Sequence, residues 1–335
     1  MDWIKTLKLL TAPAGVSGRE TTVAETAKKL LESTCDQVEI YQGNVCGYIG
    51  HRTPSKPHIL LDAHLDQVGF FVTAITENGF VRVGNIGGLD YRLMPAQRVI
   101  LHGKEEISGV ISCVPPHLQD GKEHVPSVTE LAIDTGYPKE MLEKILSPGD
   151  AVSFDMPLQR LENGCVTGAS LDDRCGMAAI LYALEQLQGQ DLSCTISVLF
   201  STQEEVGERG AMIGAYRVNP DIALAVDVTF AKGHGDDPTK CGKLGGGPMI
   251  GISPSLSPEI SRDLIATAKK NRIPWQPEVM SGMTGTNADR FSVTREGVLT
   301  GTVSIPLRYM HTPSELIQIS DLEATGKLLT AYLLQ

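Results

Sequence analysis

The apolar run Ile196-Ser-Val-Leu-Phe200 passes without a break into Ser201-Thr-Gln-Glu204-Glu205-Val-Gly207. Such a run reads as a buried strand, and two adjacent carboxylates at its end restrict what can surround it. Desolvating an ionised acid costs several kcal/mol, on the order of the stability of a whole domain, unless a cation compensates. Adjacent residues leave a strand end in different directions, so one glutamate is placed to hold a metal while its neighbour faces whatever the metal binds. A solvated acidic turn is the simpler reading of Glu204-Glu205 taken alone. The rest of the chain decides between them.

The same arrangement recurs. His58-Ile-Leu-Leu61 runs into Asp62-Ala-His64-Leu-Asp66, and Ile222-Ala-Leu-Ala-Val226 is an apolar strand expected to stop at Asp227. Asp172-Asp173 precede a helix with apolar positions Ala178, Leu181, Leu184 and Leu187, and strand-like Val298 to Ile305 leads to His311. In open α/β sheets ligands gather beyond the carboxyl ends of the strands. Five places with His, Asp or Glu in that one topological position point to a shared site of His64, Asp66, Asp172, Glu204, Glu205, Asp227 and His311. Two divalent cations would balance the carboxylates of Asp172, Glu205 and Asp227 plus one hydroxide, with both imidazoles neutral. Nitrogen and carboxylate donors without thiolates suit zinc, cobalt or manganese.

Elsewhere the pattern is simpler. Trp3, Ile4, Leu7 and Leu10 recur at helical spacing, Ser17-Gly-Arg-Glu20 reads as a capping box for a second helix, and a hairpin is expected about Gly43-Asn44. From about Val68 the strand and helix alternation gives way to short β-like runs with one helix at Pro138 to Leu146. Residues 67–163 therefore read as a smaller β-rich insertion into an α/β domain formed by residues 1–66 and 164–335. The net charge of -11 argues against nucleic acid and anionic membrane as partners. No stretch is apolar enough for a signal peptide or a membrane span, and seven cysteines without a Cys-x-x-Cys pair fit reduced thiols, so a cytoplasmic location is expected. His117, Asp120 and His124 read as a loop, Cys175 as a packing residue, the loop with His234, Asp236 and Asp237 as polar, and Gly245-Gly-Gly247 as a flexible turn.

The motifs HLDQVG at His64, GASLDDRCG around Asp172, STQEEVGERGA, AVDVTFA and RYMHTPSE, with VGNIGGLDYRLMPAQRV in the insertion, resemble the di-metal aminopeptidases of metallopeptidase family 42. That family includes glutamyl, deblocking and tetrahedral (TET) aminopeptidases, and some members are labelled cellulase M. The resemblance implies a mixed sheet flanked by helices, a hydrolase acting on the N-terminal residue of peptides, and two divalent ions per subunit, zinc or cobalt. It further implies that His64 and Asp227 hold one ion, Glu205 and His311 the other, and that Asp172 bridges them. Glu204 would be the general base and Asp66 would orient His64. A cis peptide is implied after Asp172, and a homo-oligomer, up to a tetrahedral dodecamer, is implied with the inserted domain as its interface. Two positions depart from the family pattern: Asp173 stands where Asn is frequent, and Asn287 where Asp is frequent, the second bearing on substrate contacts. A related zinc deacylase or carboxypeptidase, and a non-catalytic metal-binding scaffold, are the alternatives. A glycoside hydrolase would need two carboxylates about a sugar and no imidazole-bound metals.

Overall fold

The computed structural model describes residues 1–118 and 125–335. Its main body is an 11-stranded mixed sheet, and the four central strands of that sheet are parallel: Thr195–Ser201, His58–His64, Ile222–Phe230 and Leu299–Arg308. These are the apolar runs of the sequence, and their residues are almost all buried because helices cover both faces. On one side Thr195–Ser201 pairs antiparallel with Asn44–Ile49, which forms a hairpin with Gln37–Tyr41. Its turn residues Gln42 and Gly43 both have positive φ, as a two-residue hairpin turn requires. On the other side Glu315–Gln318, Cys165–Gly168 and Gln159–Arg160 extend the sheet, and the strand pair Met249–Ile252 and Gln276–Val279 joins it along Leu299–Arg308.

The helix Leu171–Leu187 crosses the middle of one face, buried nearly all round between the sheet and the helices Trp3–Thr11 and Ile319–Leu333. A helix solvated only near its end, at Glu185 and Gln186, reads poorly as amphipathic, and here it anchors the largest apolar cluster, which includes Leu7, Leu61, Met177, Val198, Val303 and Leu329.

Between His64 and Gln159 the chain leaves this sheet and closes a six-stranded barrel in the order Gly69–Ile75, Val81–Ile86, Ala132–Asp134, Glu106–Ile111, Arg98–His102, Ala151–Phe154. The barrel has its own apolar core, built on Phe70, Val72, Val99, Leu101, Ile133 and Val152, with Phe70 and Phe154 edge to face. Lys139–Ile145 is the helix expected near Pro138.

Two local expectations are corrected. Ser17 and Glu20 do not form a capping box: Ser17 Oγ donates to Asp66 Oδ2 at 2.6 Å, and Glu20 Oε1 accepts from Gly18 N, Thr202 Oγ1 and Gln203 N, so both side chains serve the strand ends instead of the helix Thr21–Leu31. The glycines at 245–247 are not a free turn, since Gly245 N and Gly247 N each donate at 2.8 Å to the carboxylate of Asp321. His117 lies in a short 3₁₀ turn, while Asp120 and His124 lie outside the described residues.

Candidate metal centre

Strand register brings the first donors to one level. Ser201 stands opposite His64, and Asp62 stands opposite Ala225. Side chains alternate along a strand, so two residues further on His64 and Asp227 share a face, with His64 Nε2 3.9 Å from Asp227 Oδ1. The strand carrying Asp227 does not stop there; it continues to Phe230, paired with the segment through Leu307, which keeps Asp227 on rigid backbone.

Asp172 enters from the opposite direction, at the start of the Leu171–Leu187 helix, where Ser170 is in the left-handed region and the Asp172-Asp173 bond is cis. Its carboxylate lies between the two imidazoles. Oδ1 is 2.9 Å from His64 Nε2, and Oδ2 is 3.4 Å from His311 Nε2. His311 also lies 3.3 Å from Glu205 Oε1. Among the described residues, donor atoms lie within 4.8 Å of one another in three sets: His64, Asp173 and Asp227; His64, Glu204 and Glu205; and Asp172, Glu205 and His311. The structure thus gathers six of the expected residues at one place, and Asp66 sits directly behind them.

Asp66 is fully buried. Its Oδ1 accepts from Glu204 N at 2.9 Å, and its Oδ2 accepts from Glu205 N at 3.2 Å as well as from Ser17. His64 Nδ1 lies 3.1 Å from the Asp66 carbonyl oxygen and 3.5 Å from its carboxylate. One acid therefore ties the His64 segment to the turn that presents both glutamates. That turn is entered through Gln203, a non-glycine with positive φ, a conformation that costs roughly 1 kcal/mol or more and that the surrounding bonds hold.

The M42 glutamyl aminopeptidase family profile matches residues 43–328. The chain belongs to the M42 peptidase family. A lysyl aminopeptidase of Pyrococcus furiosus is 33% identical over 99% of this chain and 97% of its own length. Aminopeptidase APDkam598 of Desulfurococcus kamchatkensis superposes with a TM-score of 0.93 at 35% identity, covering 99% of this chain and 94% of that one. The Pyrococcus horikoshii TET1 peptidase, which can assemble into a tetrahedron or a large octahedral shell, superposes with a TM-score of 0.88 at 31% identity over the whole of both chains. As an M42 peptidase the chain is a hydrolase that acts on peptides, and divalent metal ions come with the family.

Several residues that shape this M42 site stand in or beside the quoted motifs, but the sequence gives no sign of what they touch. Asp173, fully buried, accepts from His64 N at 3.2 Å and from Gly176 N at 3.0 Å, so it holds the His64 backbone. Glu315 accepts from Asp172 N and from His311 N, each at 3.1 Å, joining two site segments far apart in sequence. Gly87, at φ +73, leaves space where a Cβ would come within 2.7 Å of Val68 and against Glu205, and a Cβ at Gly88 would lie in ordinary contact range of His311. The barrel thereby reaches the site through a loop whose backbone at Gly87 favours glycine. Asn287 does not face the cleft. It is buried, and its Nδ2 donates to Asp62 Oδ2 at 2.8 Å and to Ser201 Oγ at 2.7 Å, pinning the cleft-lining loop at Thr284 to Thr286 onto two strand ends.

Crowded acids set the electrostatics. Burial, followed by the neighbouring charges of Asp227 and Glu205, pushes the Glu204 carboxyl up to about 9 even though His64 opposes it, and burial pushes Asp227 up to about 8. Burial alone would lower the His311 imidazole, but Asp172 and Glu205 reverse this and raise it to about 11. Asp172 is held well below the usual carboxylate range because the two imidazoles outweigh its burial. Without cations, protons are left to balance these charges.

Proposed function

We propose that this chain is a two-metal aminopeptidase in which His64 and Asp227 hold one divalent cation, Glu205 and His311 hold the second, and Asp172 bridges them. The observation that carries the reading is the Asp172 carboxylate, with one oxygen against each imidazole. The donor set fits the ions the family implies. It offers two imidazole nitrogens and several carboxylates in a buried pocket, while the nearby Cys175 thiol is pushed far up by burial and is no thiolate donor. Zinc or cobalt suits such donors. When bound, the ions would polarise the scissile carbonyl and lower the pKa of the attacking water to about 7.

Glu204 is the general base in this reading. Its carboxylate stands in the same cluster as Glu205 and His64 but is left over once the five ligands are assigned, and it lines the cleft where a peptide would lie. Two cations beside it would reverse the upward push of its acidic neighbours, leaving it ionised and able to take a proton from the water and return it to the leaving amine. Asp66 positions it by accepting its backbone amide. Segment 67–163 supplies the assembly surface, and an assembly like the tetrahedron of the TET1 relative would admit short or unfolded peptides to an inward-facing site. Among the described residues no helix is long and apolar enough to cross a membrane, and a cytoplasmic location accords with the reduced cysteines.

The test compares Glu204→Gln with Glu205→Gln in metal content and in peptidase rate. Glu204→Gln should keep both metals and lose roughly 10²- to 10⁴-fold in kcat with KM little changed. Glu205→Gln should shed metal. Near-normal turnover in Glu204→Gln, or metal loss from that variant, would show the roles to be wrongly assigned.

A further inference from the structure

The metal centre opens into a cleft of about 790 Å³, much larger than the ions need and within the range of small-ligand pockets. Its walls beyond the proposed ligands differ sharply from the centre. Phe230 stands three residues past Asp227 on the same strand, Met310 directly precedes His311, and Met249, Val279 and Met280 come from the neighbouring strand pair and its end. Phe230 is 59% exposed and Val279 77% exposed, so both offer apolar surface at the mouth of the cleft. Met249 is buried, with its Sδ over Gly242 in the space a Cβ would take, and both residues line the cleft.

The ionisable groups of the same walls are spoken for or solvated. Glu278 accepts from Ser304 Oγ at 2.6 Å and is also bonded by Thr229, and burial raises its carboxyl above the usual range. Glu208 lies 3.2 Å from Arg290 Nε. Lys240 is exposed, where an ion pair is screened by water and contributes little. An acidic side chain entering between Met249 and Met280 would lose its hydration beside the Glu278 carboxylate, and a basic one would meet that carboxylate already taken up by the Ser304 and Thr229 hydroxyls. A neutral apolar one would bury its surface against the two methionines and Phe230.

We propose that this cleft takes peptides whose first residue carries a medium or large neutral apolar side chain, such as leucine, methionine or phenylalanine, in preference to basic or acidic ones. The proposal rests on the aminopeptidase reading, and it separates this chain from a relative named for lysine. Phe230, Met249 and Met280 are its specificity-determining residues.

The experiment runs metal-loaded enzyme against aminoacyl-p-nitroanilides of Leu, Met, Phe, Ala, Lys, Arg, Glu and Asp, and measures binding of the free amino acids L-leucine, L-lysine and L-glutamate by calorimetry. The expected result is a kcat/KM for Leu, Met or Phe at least about tenfold above that for every charged residue, a step of the size that apolar pockets achieve, with leucine the tightest of the three amino acids. A basic or acidic residue ranking first, or Ala equal to Leu, would overturn the proposal. If no anilide is cleaved the aminopeptidase reading fails, and the binding order still decides the chemistry of the cleft. Met280→Glu, checked for folding by its melt, should raise kcat/KM for Lys relative to Leu by about tenfold or more; an unchanged ratio in folded protein would remove Met280 from the specificity-determining set.

Discussion

Glu315 offers the sharpest perturbation of the scaffold behind the metal centre. Its two oxygens accept from Asp172 N and His311 N at 3.1 Å each, and the side chain is 2% exposed. Glu315→Ala would leave two buried amides without acceptors, at about 1–3 kcal/mol apiece, so roughly 2–6 kcal/mol before any cavity contribution. At roughly 2 °C per kcal/mol for a chain of this size, Tm should fall by about 4–12 °C. Glu315→Gln separates hydrogen bonding from packing. The amide is nearly isosteric, but it has one oxygen and turns an NH₂ group toward the other N–H, so about half of the loss should remain. Both variants should also bind metal less tightly, because the released segments carry Asp172 and His311. Differential scanning calorimetry with metal analysis reads both quantities. A Glu315→Gln protein with wild-type Tm and metal content would refute the reasoning and reduce Glu315 to a space-filling role.

Two further outcomes follow. In chelator-treated protein Glu204 (about 9), Asp227 (about 8) and Asp62 (about 7) hold protons more tightly folded than unfolded, through burial first, and the His64 and His311 imidazoles do so through their carboxylate neighbours. Groups raised on folding contribute stability that is present below their unfolded pKa and lost as pH rises through the folded value, so Tm of the stripped protein should fall between pH 5 and 9; a flat or rising profile would contradict this. Native mass should lie well above that of one chain, and charges placed at the barrel's exposed Leu93 and Val110 should lower it; a wild-type monomer would remove the assembly role of segment 67–163.

What could be read from the sequence depended on how local each signal is. His64, Glu205, Asp227 and His311 follow strongly apolar runs, and such runs become buried parallel strands whose ends converge whatever the details between them. Barrel closure was not legible, because Ala132–Asp134 and Ala151–Phe154 are three and four residues long and acquire their meaning only from partners elsewhere in the chain. Ser17 to Glu20 shows the opposite failure. A good local capping pattern lost to Asp66 and Thr202, which offer those side chains buried, partly charge-assisted bonds worth more than an exposed cap. Glu315 stands in a motif with His311, yet its spacing gives no hint that it also reaches Asp172, 143 residues earlier. Asp173 and Asn287 read as departures from a family pattern; in the fold they are buried acceptor and donor that fix the His64 strand from two sides.

The charges around the centre require a compensating partner. Asp62, Asp66, Asp172, Asp173, Asp227 and Glu315 are buried together, with Glu204 and Glu205 close by, and the one fully buried guanidinium among the described residues belongs to Arg174. Arg174 is committed to structure: it donates to Leu10 O and Gln67 Oε1, and burial lowers its pKa to about 10. One cation cannot balance so many acids, so in the absence of metal the balance falls to protons held by Glu204, Asp227, His64 and His311. Divalent ions need the ligands Asp227, His64 and His311 deprotonated and favour the ionised form of Glu204 beside them, and binding must therefore displace the protons. Loading the stripped protein at pH 7 should release about two to four protons per subunit, an order of magnitude set by these four groups, all of them raised by their surroundings in the metal-free protein. Titration calorimetry in buffers of different ionisation enthalpy measures the number directly. Release of fewer than one proton would mean that the ions bind elsewhere, and would sink the ligand assignment along with the charge argument that supports it.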